Sequence, residues 1–184
     1  TGVMISLDHF EPEAHNRFRG FSKAYQSVIK AALSAKNANL VIVLALCVRK
    51  EFVNEANLES YMELARKLGV AFVQFIEPRA KGRYAIKNIY LTPDQIRLLE
   101  CTYLKYNREK EYRDYPIINY IGYHQRRVGC FGGGNRFFYI DTDGEAHLCP
   151  FCEEKTGSTL EFSATDTISL LQQHQCHAFI KSEL

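Results

Sequence analysis

Three apolar runs, Val3-Met4-Ile5-Ser6-Leu7, Leu40 to Val48 and Val70 to Ile76, constrain this chain more than any other feature. They are rich in Val, Ile, Leu or Phe and do not alternate strictly with polar residues, the pattern of strands covered on both faces. In the two intervals between them, Phe21, Tyr25, Val28, Ile29, Ala32 and Leu33 share one helical face, as do Leu58, Tyr61, Met62, Ala65 and Leu68. Asn57 is placed to cap the second helix and Gly69 to end it. The order strand, helix, strand, helix, strand demands right-handed crossovers in a parallel sheet, so the expected fold class is α/β. Ligands of such folds sit at the carboxyl ends of the strands.

Thr92-Pro93-Asp94 combines a capping residue with proline at the first helical position and predicts a helix of about three turns through Leu98, Leu99 and Tyr103. The mixed-sign stretch from Asn107 to Asp114 reads as a solvated face or linker. Residues 1–90 are therefore assigned to the α/β part and 91–128 to a helical linker.

Residues 129–184 follow a different grammar. Cys130 precedes Gly132-Gly133-Gly134, then a strand-like Arg136 to Asp141, an Asp143-Gly144 turn, a return run from Glu145 to Cys149, and Cys152. Asp-Gly between two such runs predicts a hairpin, which returns Cys130 and Cys149 to one open end. Cys149-Pro150-Phe151-Cys152 adds a third thiol at C-x2-C spacing, and Cys176, on a closing helix of about Asp166 to Phe179, offers a fourth. Four sulfurs suit an iron–sulfur cluster, while the same spacing serves zinc equally well. Backbone N–H groups of the glycine triplet can approach sulfur closely, which tilts the reading toward iron–sulfur. The triplet lacks the Lys-Ser/Thr ending of a phosphate loop. Cys47 and Cys101 read as buried thiols and His147 as a surface or packing residue. His174 and His177 flank Cys176 as substitute ligands.

Lys and Arg total 23 against 21 Asp and Glu, so a net charge of +2 lends no support to nucleic-acid binding. The longest apolar run is about half of the roughly 20 residues that a membrane helix needs. Six cysteines without a visible secretory leader point to a reducing cytoplasm. The start at Thr1, directly before a strand and without an initiator Met, reads as a cut.

Cys130, thirteen residues, Gly144, four residues and Cys149 resemble the opening pattern of the auxiliary-cluster domain, SPASM or its shorter twitch form, of radical S-adenosylmethionine (SAM) enzymes. Ile5-Ser6-Leu7-Asp8 is similar to the fourth strand of that superfamily's barrel, and His15 to Gly20 to the segment entering the next helix. Glu77-Pro78 with Gly82-Arg83 is similar to the end of its sixth strand. The resemblance implies the second half of a partial (βα)6 barrel, followed by a small β-hairpin metal-binding domain with helical flanks. It implies that Ser6 and Asp8 face the SAM ribose or amino group and that Arg19 meets the SAM carboxylate. By the same resemblance, Cys130, Cys149, Cys152 and Cys176 ligate one auxiliary [4Fe–4S] cluster that transfers electrons. The parent would be an oxidoreductase that makes a 5′-deoxyadenosyl radical, takes electrons from a ferredoxin or flavodoxin, and modifies a peptide or protein. The C-x3-C-x2-C of the SAM-cleaving cluster is absent from these residues, so they are expected not to cleave SAM alone. The longer SPASM cysteine run is absent too, which fits the twitch form better. The competing expectation is a non-catalytic four-cysteine zinc or iron–sulfur interaction module.

Overall fold

The computed structural model describes residues 1–174, apart from the side chain of Arg83. The chain divides into two compact units, Thr1–Ile121 and Gly122–Leu184.

The first unit follows the apolar runs. Strands β1 (Gly2–Ser6), β2 (Val41–Cys47) and β3 (Phe72–Ile76) form where the runs predict them. A fourth, β4 (Ile117–Tyr120), joins them in a parallel sheet of order β1-β2-β3-β4. The connecting helices are α1 (Pro12–Arg19), α2 (Ala24–Asn37), α3 (Glu55–Leu68) and α4 (Pro93–Arg108). Strands that neighbour one another in chain order, joined by right-handed crossovers, put those helices on one face. On that face lie Ile42, Leu44, Leu46, Val73, Phe75, Ile118 and Tyr120, all at most 3% exposed. α2 contacts β1 and β2, and α4 contacts β4. α3 is fixed by the buried Tyr61 hydroxyl, which donates to the Leu7 carbonyl at 2.8 Å.

The opposite face differs. Met4, Phe72, Ile76 and Ile117 remain exposed there. A row of Ser6, Ala45, Gln74 and Asn119, polar at three of its four positions, crosses it in register. Parallel sheets ordinarily bury both faces, so this one-sided sheet is the unit's open surface.

Local chemistry sets the helix ends. Thr92 caps α4 as expected, and with Gln95 it forms a reciprocal capping box. The cap of α3 is Asn54 rather than Asn57: the Asn54 side chain accepts from the Asn57 N–H, and Asn57 instead donates to the Phe52 carbonyl. Gly69 ends α3 in the left-handed region, at φ 73°. Residues 91–128 are more than a helical linker, since α4 runs on through Arg108 and β4 follows.

The second unit holds α5 (Ile121–Val128, beginning at the unit boundary), β5 (Tyr139–Ile140), β6 (Glu145–His147), β7 (Gly157–Ser158) and α6 (Ala164–Gln172). Its three short strands pair antiparallel in the order β5-β6-β7. Asp143-Gly144 makes the expected turn, with Gly144 at φ 83°. Among the described residues its core cluster is Ala146, Leu148 and Leu171, flanked by Phe138 and Cys152. Among the described residues no helix is long and apolar enough to cross a membrane.

Candidate functional site

The hairpin brings the cysteine segments together through backbone contacts. Gly133 N–H donates to the Leu148 carbonyl at 2.8 Å, so the glycine triplet lies against the residue preceding Cys149. A Cβ on Gly132 would stand 2.5 Å from the Leu148 oxygen, a distance no side chain tolerates, and this close approach explains glycine there. The Gly132 N–H donates to Cys130 Sγ at 3.3 Å.

Cys149 Sγ and Cys152 Sγ are 3.6 Å apart, with the intervening turn closed by Cys152 N–H to the Cys149 carbonyl at 3.1 Å. Cys149 is buried, whereas Cys130 and Cys152 are half-buried. Two sulfurs bound tetrahedrally to one ion at about 2.3 Å each stand about 3.8 Å apart, so the separation is compatible with a shared ion as well as with a thiol–thiol hydrogen bond. Among the described residues, however, no three His, Cys, Asp or Glu side chains form a ready cage. Cys176, the fourth expected ligand, and His177 lie outside the described residues.

The histidines near this pair are otherwise occupied. His147 is buried, the packing rather than the surface alternative: Nε2 bonds Asp141 Oδ2 at 2.9 Å and Nδ1 lies 3.1 Å from the Glu154 carbonyl. Asp141 also accepts from the N–H groups of Asp143 and Glu145. The His147 bond, more than these, holds the Asp141 carboxyl below its usual value. His174 pairs with Glu154 at 3.4 Å.

In the first unit, Ser6 stands on the open sheet face, while Asp8 and Arg19 meet at the carboxyl end of β1. Arg19 Nε donates to Asp8 Oδ2 at 2.6 Å, and Cys47 N–H donates to Asp8 Oδ1 at 3.3 Å. His15, unnoticed in the sequence as a partner, accepts the Asp8 N–H on Nδ1 at 3.1 Å and is itself 1% exposed. Asp8 thus ties β1, β2 and α1 together. Beside it, burial first and Asp8 second push the Cys47 thiol up, so it stays protonated. Cys101 is exposed, contrary to expectation, because α4 turns it away from the core.

Burial lowers the His15 pKa, and the Asp8 charge offsets this only in part. An unfolded imidazole takes up its proton near pH 6.5. Between that value and the lowered native one, the unfolded state binds more protons, so stability must fall as the pH drops through the window. Protonation at Nδ1 would also remove the acceptor of the Asp8 N–H. His9 is lowered by burial as well and adds to the same slope. Urea midpoints measured from about pH 7 to about pH 5 should decline, and His15→Gln should flatten the decline.

The chain matches no protein-family profile and no curated protein sequence.

Proposed function

We propose that this chain belongs to a radical SAM enzyme that modifies a peptide or protein, with Cys130, Cys149, Cys152 and Cys176 holding an auxiliary [4Fe–4S] cluster. The observation that carries the reading is the 2.8 Å bond from Gly133 to Leu148, which sets the Cys130 segment against Cys149-x-x-Cys152 in the spacing that resembles that family. The donor set fits such a group chemically, being all thiol with a backbone N–H already aimed at one sulfur. When bound, the cluster supplies one-electron transfer. The chain's own residues would supply its ligands, bury the Cys149 side and donate one backbone N–H to the Cys130 sulfur.

Supporting features in the first unit are the chain-order parallel sheet, as in the second half of a partial (βα)6 barrel, and an open polar face at Ser6, Gln74 and Asn119. Ser6 and Arg19 would meet SAM at the carboxyl end of β1, while the buried Asp8, expected as a direct contact, would instead hold Arg19 in position. Arg19 uses one of its five donors on Asp8, and its side chain is 38% exposed, so it retains donors for a second carboxylate. Electrons would come from a ferredoxin or flavodoxin.

The 3.6 Å sulfur separation favours a second reading, a four-thiolate zinc module that works through a partner chain. A four-iron cluster places each thiolate on a different iron and would require this pair to part. Anaerobic purification with iron, sulfide and zinc analysis separates the two. About four irons and four sulfides per chain, with broad absorption near ~400 nm, is the expected result. One zinc and no sulfide, unchanged by anaerobic reconstitution, would overturn the enzyme reading and leave the zinc module.

A further inference from the structure

The carboxyl ends of β2 and β3 open into a cleft of about 470 Å³ that the SAM residues above do not occupy. Four cationic residues line it, Arg49, Lys50, Arg79 and Lys87, against the single carboxylate of Glu51 among its described lining residues. Phe18 and Tyr84 give it aromatic walls. The Arg49 guanidinium carbon sits 4.0 Å from the Phe18 ring centre and Lys87 Nζ 4.7 Å from that of Tyr84, so the walls hold two of the cations in place.

Arg49 and Lys50 meet few acceptors among the described residues. Arg49 Nη1 reaches Glu51 only at 3.9 Å, and the Glu51 side chain is 76% exposed. Arg49 Nε is buried and has no hydrogen-bond partner among the described residues. A buried donor without an acceptor is costly, and a bound ligand oxygen would relieve it. Lys50 Nζ bonds the neutral Asn88 Oδ1 at a long 3.4 Å. No glycine is among the described lining residues, so the backbone amide cradle typical of phosphate loops is missing. The planar Arg49 guanidinium against the Phe18 ring suits instead a carboxylate carried next to an apolar group.

We propose that this cleft is a carboxylate-binding subsite that anchors an acidic residue of the substrate peptide, with the neighbouring apolar residue against Phe18 and Tyr84. The carrier's being a substrate peptide rests on the function proposed above, whereas the carboxylate specificity rests on the cleft alone. Cys47, whose N–H holds Asp8, also lines the cleft, so an anchored peptide would lie next to the Asp8–Arg19 pair.

The test is an NMR titration of the ¹⁵N-labelled full chain with acetyl-Leu-Glu-Phe-amide and with its Gln counterpart. The Glu peptide should shift the amides of residues 47–51 and 78–89 and saturate at a concentration at least about tenfold lower than the Gln peptide. Arg49→Gln should erase that preference while leaving the weak Gln-peptide binding. Lys87→Gln, at an exposed position that cannot disturb the core, should weaken the Glu peptide by a few-fold and keeps the test valid if Arg49→Gln folds poorly. Equal binding of both peptides would overturn the proposal, as would displacement of the Glu peptide by equimolar inorganic phosphate or by SAM. Glu-selective binding to protein that carries zinc and no sulfide would uphold the subsite while rejecting the radical enzyme. Equal binding by cluster-loaded protein would reject the subsite alone.

Discussion

Arg19→Met should lower the unfolding free energy by about 3 kcal/mol, measured by urea denaturation near neutral pH. The Asp8 side chain is 2% exposed and its strongest partner is the Arg19 Nε at 2.6 Å, so the substitution strands a carboxylate with only the long Cys47 N–H bond. The figure is the low end of the range for breaking a buried pair, because Arg19 itself is 38% exposed. Adding Asp8→Asn should restore most of the loss, since the neutral amide still accepts from Cys47 and no longer needs a cation. If the double variant is as unstable as Arg19→Met alone, the cost lies in lost packing of the arginine stem and not in a stranded charge.

Cys149→Ala should abolish metal retention, leaving under about a tenth of the wild-type load, and the second unit should lose its cooperative melt with it. The physical reason is the size of the core. Among the described residues the core cluster is Ala146, Leu148 and Leu171 with two flanking residues, little to hold three strands of two or three residues each. A bound metal would supply the missing stabilisation, and Cys149 is the buried half of the 3.6 Å sulfur pair. Alanine is a small apolar replacement that creates little strain, so the expected collapse follows from the metal and not from packing. Full metal content in Cys149→Ala would show that the Cys149–Cys152 pair is not the site. Stripping the metal from wild-type protein should reproduce the melting behaviour of the variant.

The elements that read clearly from sequence are those whose cause is local. The three apolar runs became strands because Val, Ile and Phe favour extended backbone and because alternate positions, Ile42, Leu44, Leu46, Val73 and Phe75, are buried on one face. Thr92-Pro93 and Asp143-Gly144 acted through their own backbone preferences. β4 escaped notice because Ile117–Tyr120 is only four residues long and its pairing with β3 is made across the fold. Its edge is served by a residue that had been read as linker: the Asn107 side chain accepts from the Ile118 N–H at 2.8 Å and donates to the Ile118 carbonyl at 2.9 Å, like a missing strand. Asn57 misled because Asn54 lies one helical turn earlier and has the extended backbone that a cap requires. The β5–β6 hairpin around Asp143-Gly144 was legible from its turn residues, while the Asp8–His15–Arg19 linkage was not, since its register depends on where α1 starts. The basic cleft was hidden for the same reason, as Phe18, Arg49 and Lys87 are distant in the chain.

The chain-order sheet of the first unit also bears on how the molecule comes to be made. In a doubly wound sheet the strand order reverses, and a central strand must wait for partners that lie far along the chain. Here each of β2, β3 and β4 pairs with the strand preceding it, so a template is already present when the next strand leaves the ribosome. Growth is one-directional, and each added βα step closes a loop of similar length rather than a progressively longer one. A chain stalled after any strand would still present a self-consistent, shorter sheet, which makes this unit suited to folding while it is being synthesised.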